Sequence, residues 1–236
     1  MRTAWVTGAS RGIGRAVARH LDGAGYRVFA TARDAHALSD LAADLGERTW
    51  AEPCDLTDEL AVRRSFVALQ TRWGTPDVLV NCAGVGQGAS LLEGTMAEWR
   101  SMWEVNVLGL ALCSRLVVDG LLAEGRTGQV VHIGSMSGHR VPAHAGMYAA
   151  TKFAVQALTE GLRLELRARG SNIRVASIAP GNVQTRFGLA PDEPDRTRPY
   201  PLLQADDVAD TVRFVLDTPL HVDVGDVRLR PTGQPS

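Results

Sequence analysis

Short apolar runs alternate along the chain with stretches whose apolar residues recur every three or four positions. The first pattern predicts strands at 4–7, 27–32, 49–55, 77–81, 129–133, 172–178 and 226–230. The second predicts helices at 12–21, 35–45, 59–72, 96–122, 148–169 and 205–216, the fourth of them long or broken. Regular strand–helix alternation implies an α/β fold, a doubly wound seven-stranded parallel sheet with helices on both faces. The rhythm breaks at 185–201, where Pro191, Pro194, Pro199 and Pro201 sit among alternating charges. That stretch reads as a loop placed like a lid.

Composition narrows the picture. The 236 residues fit one domain, 1–236, and 45% hydrophobic with 22% charged residues is a globular mixture. A net charge of −1 gives no bulk positive field for nucleic acid, so no nucleic-acid partner is expected. The longest apolar run, 108–122, is cut by Arg115 and Asp119, and no membrane span is expected. The chain enters a strand pattern at once, with no signal-peptide pattern. Cys54, Cys82 and Cys113 are odd in number and widely spaced, which reads as reduced thiols in a cytoplasmic protein. His132, His139 and His144 lack partners at ligand spacing, so no metal site is expected. Of the 25 basic residues one is lysine, Lys152. Lysine and arginine are not interchangeable where a compact ammonium of tunable pKa is needed.

Two segments carry candidate chemistry. After the first strand comes Thr7-Gly8-Ala9-Ser10-Arg11-Gly12-Ile13-Gly14. Its glycines allow close backbone approach, and the helix that follows aims its N-terminal N–H groups at a pyrophosphate. The second strand ends at Arg33, where dinucleotide folds place an acidic residue for NAD or an arginine for NADP, and Asp34 falls one step late. Arg11 projects toward the same corner, and the pair predicts NADP(H).

Further on, Lys152 follows Tyr148 by four residues, one helix face apart. A neighbouring ammonium stabilises a tyrosinate and lowers the phenol pKa, so Tyr148 is expected to protonate a carbonyl near neutral pH. Ser135 ends the fifth strand, where ligands of open α/β sheets sit, with Ser137 as its competitor. Gly86, Gln87, His139, Arg140 and Phe187 are placed to line a substrate pocket, and Arg186, Arg196 and Arg198 either meet an acid or face water. Trp99, Met102 and Trp103 read as helix packing.

These motifs in order, with Asn81-Cys82-Ala83-Gly84, Asn106, a 13-residue interval from Ser135 to Tyr148, and Pro180-Gly181, resemble the short-chain dehydrogenase/reductase family in its short single-domain Rossmann branch, over residues 3–230. The resemblance implies that Tyr148 is the general acid/base. Lys152 lowers its pKa and holds the nicotinamide ribose, and Ser135 orients the carbonyl. Asn106 positions a proton-relay water. It implies cofactor contacts at Gly8, Ser10, Arg11, Gly12, Ile13, Gly14, Arg33, Asp55 with Leu56, Asn81, Ala83, Gly84, Pro180, Gly181, Val183 and Thr185. Asp55 is similar to the residue that meets the adenine amino group. Cys82 stands where the family has a second Asn, which puts that side-chain contact in doubt. The segments 135–141 and 230–234 resemble a subgroup that includes a human dehydrogenase/reductase, insect farnesol dehydrogenases and bacterial 3-hydroxy acid dehydrogenases. The expected function is NADPH-dependent reduction of a ketone or aldehyde, reversible as alcohol oxidation, by a homodimer or homotetramer. The alternatives are an NAD-linked alcohol oxidiser, a non-catalytic dinucleotide sensor, and an epimerase or dehydratase of the longer branch. The last needs a C-terminal substrate domain, and only about 50 residues follow Gly181.

Overall fold

The computed structural model describes residues 1–188 and 198–235. Seven strands form one sheet: β1 (Thr3–Thr7), β2 (Arg27–Ala32), β3 (Thr49–Pro53), β4 (Val78–Asn81), β5 (Gln129–Ile133), β6 (Arg174–Pro180) and β7 (Asp226–Leu229). Their order is β3-β2-β1-β4-β5-β6-β7, and every neighbouring pair is parallel. The chain leaves β1 toward β2 on one side and later reaches β4 on the other. The crevice at that reversal, beyond the strands' carboxyl ends, is where such sheets bind ligands.

Successive side chains of β1 point to opposite faces, so each face has its own core. On one face, Ala4 and Val6 meet Val17 and Leu21 of α1 (Gly12–Gly23), Leu38 and Leu41 of α2 (Ala35–Leu45), and Val208 and Val212 of a helix near the C-terminus, Ala205–Asp217. On the other, Trp5 packs with Phe29, with Phe66 and Leu69 of α3 (Glu59–Trp73), and with residues of two later helices. Each fully buried leucine in these layers contributes about 1.5–3 kcal/mol.

The stretch expected to be one long helix at 96–122 is three pieces. It comprises α4 (Met96–Trp103), a π-helical segment Glu104–Gly109, and α5 (Leu110–Ala123). Gly109 packs so closely on Leu56 that a Cβ would lie 2.8 Å from the leucine Cβ. Within Met96–Ala123 an 18-residue window has mean hydropathy 1.7, long and apolar enough to pass for a membrane span by composition. Arg115 and Asp119, the two charges that cut the run 108–122, pair with each other on the exposed side of α5, one turn apart. In this fold 56% of the window is buried, with Cys113, Val117 and Leu121 in the core, so it reads as a core helix.

α6 (Gly146–Ala168) begins two residues before Tyr148 and runs under β5 and β6; the helix Ala205–Asp217 is α7. α2, α3 and α4 are each capped at their N-terminus by a side chain, Asp34, Asp58 and Thr95 respectively. α1 has no side-chain cap.

Candidate active site

A cleft of about 1230 Å³ runs along the carboxyl ends of β1 to β6. One wall is the glycine turn between β1 and α1. Gly8 has φ +67°, and a Cβ there would lie 2.7 Å from Ala83 Cα. A Cβ on Gly14 would strike the Gly8 carbonyl. Both positions therefore exclude side chains, and the backbone stands open to the cleft. Thr7 ties this turn to the next strand, its Oγ1 accepting from Cys82 N and Ala83 N at 3.2 and 3.3 Å. Ser10, Arg11, Gly12 and Ile13 line the same wall. The first-turn N–H groups of α1 have no capping side chain and are suited to an anion.

Arg11 and Arg33 line one end of the cleft. Among the described residues neither has a carboxylate partner. The Asp34 carboxylate accepts from Ala37 N at 3.0 Å and is occupied in starting α2. Asp55 and Leu56 also line this end, and Asp55 Oδ1 accepts from both N and Oγ1 of Thr57 at 2.9 Å.

At the other end Ser135, Tyr148 and Lys152 converge. Lys152 is buried, its Nζ donating to the Ile133 carbonyl at 2.9 Å and lying 5.8 Å from the Tyr148 ring centroid. Burial pushes the ammonium down to about 8. Burial also pushes the Tyr148 phenol up to about 12, opposed by a hydrogen bond from Ser135. The expected lowering by Lys152 is thus not what the free protein shows. The phenol is desolvated, and the Phe187 ring lies 5.6 Å from its own. A phenol near 12 is fully protonated at neutral pH, which is the form a proton donor needs. Ser135 Oγ also accepts from Ser137 N at 3.1 Å, so it is Ser135 that caps the turn after β5.

The segment after β6 forms the opposite wall with Pro180, Gly181, Val183 and Thr185. Val183 pairs with Leu203 in a single parallel bridge: Leu203 N donates to Asn182 O and Gln184 N to Leu203 O. Such a bridge uses the groups flanking Val183, so its own N–H and C=O face away from Leu203, and Val183 lines the cleft. One donor beside one acceptor matches a carboxamide. Thr185 Cγ2 closes to 3.3 Å from the place a Gly12 Cβ would occupy.

Two expected residues lie beneath the cleft and do not line it. Asn81 is buried, its Nδ2 donating to Ser114 Oγ at 3.0 Å. Asn106 is fully buried; its Oδ1 accepts from Val85 N at 2.8 Å, and its Nδ2 donates to Val85 O and to Thr151 Oγ1. Thr151 Oγ1 donates to Tyr148 O at 2.7 Å. The Asn106 side chain is therefore a brace between the Val85 turn and the start of α6. Gly84 and Ala83 line the cleft as expected, as do Gly86, Gln87 and Phe187. His139 and Arg140 do not; His139 lies 3.3 Å from Gln156 Nε2 and 3.8 Å from Asp226. Cys82 lines the cleft, and burial pushes its thiol up while the Lys152 charge pulls it down. Arg186 and Arg198 line the cleft, whereas Arg196 and most of the 185–201 loop lie outside the described residues.

Comparison with known proteins agrees with this geometry. The short chain dehydrogenase family profile matches residues 2–193. The chain belongs to the short-chain dehydrogenase/reductase family. Among relatives of this family, dehydrogenase/reductase SDR family member 11 of Bos taurus is 40% identical over 247 residues, covering 99% of this chain and 97% of its own. Farnesol dehydrogenase of Aedes aegypti is 37% identical, covering 99% and 97%. Among solved structures, the closed form of serine dehydrogenase complexed with NADP+ superposes with TM-score 0.91 at 28% identity, covering 99% of this chain and 96% of the other. The chain is thus an oxidoreductase of the short-chain dehydrogenase/reductase family with a Rossmann-like sheet, and the family uses a nicotinamide dinucleotide.

Sequence reading missed His144, which lines the cleft mouth with φ +58°, the sole positive φ outside glycine among the described residues. No local pattern marks it, because its position comes from the turn that delivers Tyr148.

Proposed function

We propose that this protein is an NADP(H)-dependent carbonyl reductase, reversible as an alcohol dehydrogenase. The observation that carries the reading is one cleft with two arginines at one end, neither with a carboxylate partner among the described residues, and the Ser135–Tyr148–Lys152 cluster at the other. Arg11 and Arg33 would hold the 2′-phosphate, each contact worth about 1.5–3 kcal/mol. The glycine turn would hold the pyrophosphate, Val183 the carboxamide, and Lys152 the nicotinamide ribose. When bound, the dinucleotide supplies the hydride that the carbonyl carbon accepts. Ser135 orients the carbonyl oxygen, and Tyr148 Oη delivers the proton that completes the alcohol. Lys152 holds a positive charge beside the phenolate that remains. Phe187 and Gly86 shield the phenol: a Cβ on Gly86 would lie 2.9 Å from the Phe187 ring and 3.2 Å from that of Tyr148.

The same reading makes the protein cytoplasmic, with a small-molecule carbonyl or alcohol as its partner. Leu108, Phe153 and Leu164, exposed on the π segment and α6, would meet a second copy in a dimer or tetramer, which sedimentation velocity reads directly.

The test is consumption of NADPH over a panel of ketones and aldehydes, wild type against Tyr148→Phe. The variant should bind NADPH as the wild type does and lose at least about a thousandfold in turnover, within the range of general acid catalysis. Near-wild-type turnover in Tyr148→Phe refutes the assignment.

A further inference from the structure

We infer that the C-terminal tail belongs to the cofactor site, with Gln234 a positioning residue that fixes the backbone of the segment carrying Val183. The inference rests on the dinucleotide reading above. After β7 the chain doubles back, Gln234 N donating to Pro231 O at 2.9 Å. This turn returns the Gln234 side chain to the end of β6, where its Oε1 accepts from Asn182 N at 2.8 Å. The same oxygen fills the place a Gly181 side chain would take. Gly181 N donates to Leu229 O at 2.8 Å, so β7 holds one residue and the tail holds the next.

Asn182 is gripped from its side chain as well. Its Nδ2 donates to Tyr200 Oη at 2.8 Å, and Tyr200 packs against the tail, its Cβ 2.7 Å from where a Gly233 Cβ would lie. Asn182 O and Gln184 N are fixed by Leu203. With both neighbours pinned, the two peptide groups of Val183 keep one orientation, N–H and C=O away from Leu203 in a residue that lines the cleft. Gln234 supplies the acceptor for the Asn182 N–H, which would otherwise swing that peptide toward another partner. β7 itself is a four-residue edge strand, alternately exposed and half-buried.

Gln234→Ala and Gln234→Glu test this, because the glutamate keeps an acceptor at the same reach. Tryptophan fluorescence gives NADPH affinity, and calorimetry gives the Tm of the free protein. Adenosine 2′,5′-bisphosphate, which carries the adenosine end of the dinucleotide alone, serves as the second ligand. Gln234→Ala should weaken NADPH roughly five- to tenfold, as losing one hydrogen bond does. It should leave the bisphosphate affinity and Tm near wild type, and Gln234→Glu should recover NADPH binding to within about twofold. NADPH binding unchanged in Gln234→Ala overturns the inference and leaves the dinucleotide reading standing. Equal weakening of both ligands, or no recovery with glutamate, also overturns it. A wild-type protein that binds no nicotinamide dinucleotide overturns both.

Discussion

Lys152 carries a charge where its surroundings disfavour charge. Its pKa falls from 10.5 to about 8 through burial. Because the folded value is the lower one, the unfolded chain holds this proton more tightly. Stability therefore rises with pH between about 8 and 10.5, and below 8 the destabilisation is complete, on the order of 3 kcal/mol. Replacement by an apolar side chain of similar length should relieve part of it. Lys152→Met is expected to raise the Tm of the free protein by about 2–8 °C while abolishing turnover. A lower Tm by calorimetry would show that the ammonium stabilises the fold on balance. Residues of this kind were legible in the sequence because they are scarce types at fixed spacing: one lysine, and one of three tyrosines four positions before it. The pKa direction of Tyr148 was not legible. It depends on how completely Phe187 and the Val85 turn exclude water, which no spacing encodes.

At the scale of elements, a buried polar ladder stitches β4, α5, β5 and α6 behind the site. Asn81 donates to Ser114; Ser114 Oγ lies 3.0 Å from His132 Nε2; His132 Nδ1 lies 2.8 Å from Thr159 Oγ1. Burial, with help from the Lys152 charge, pushes His132 down to about 3 from 6.5. The folded form holds a neutral ring while the unfolded chain takes a proton below 6.5. This contribution is thus complete above pH 6.5 and is lost as pH falls toward 3. By pH 5 the loss is about 2 kcal/mol. Urea unfolding at pH 7 and pH 5 should show that drop in the wild type and a smaller one in His132→Asn. Equal drops would mean that His132 is not the titrating group. The strands and helices themselves were readable from periodicity, with ends off by about two residues. The break at Glu104–Gly109 was not. Its one signal is Asn106, a polar residue in an apolar run, whose side chain is committed to Val85 and Thr151.

Over the whole molecule, the parallel sheet gathers motifs that follow successive strands at one edge. The β1–α1 turn, the ends of β2 and β3, the Ala83–Gly84 segment, Ser135 and the Pro180 segment line one crevice, ordered by the sheet and not by the chain. That is why the doubly wound fold and the larger part of the cleft could be read from residues alone. Of the parts that could not be read, His144 is set by the local turn before Tyr148, and the Gln234 clasp reaches the end of β6 across 52 residues. At one end of the crevice stand Arg11 and Arg33, without a carboxylate partner among the described residues, while Asp34 is engaged in a helix cap. On the proposed reading, this asymmetry would favour a phosphorylated over an unphosphorylated ribose. The most direct measurement is a pair of titrations of the wild-type protein with NADPH and NADH, followed by tryptophan fluorescence. The account predicts that NADPH binds at least about tenfold more tightly, a gap of about 1.4 kcal/mol. NADH binding as tightly or more tightly would contradict it, leaving Arg11 and Arg33 as solvated surface and the enzyme as an NAD-linked alcohol oxidiser.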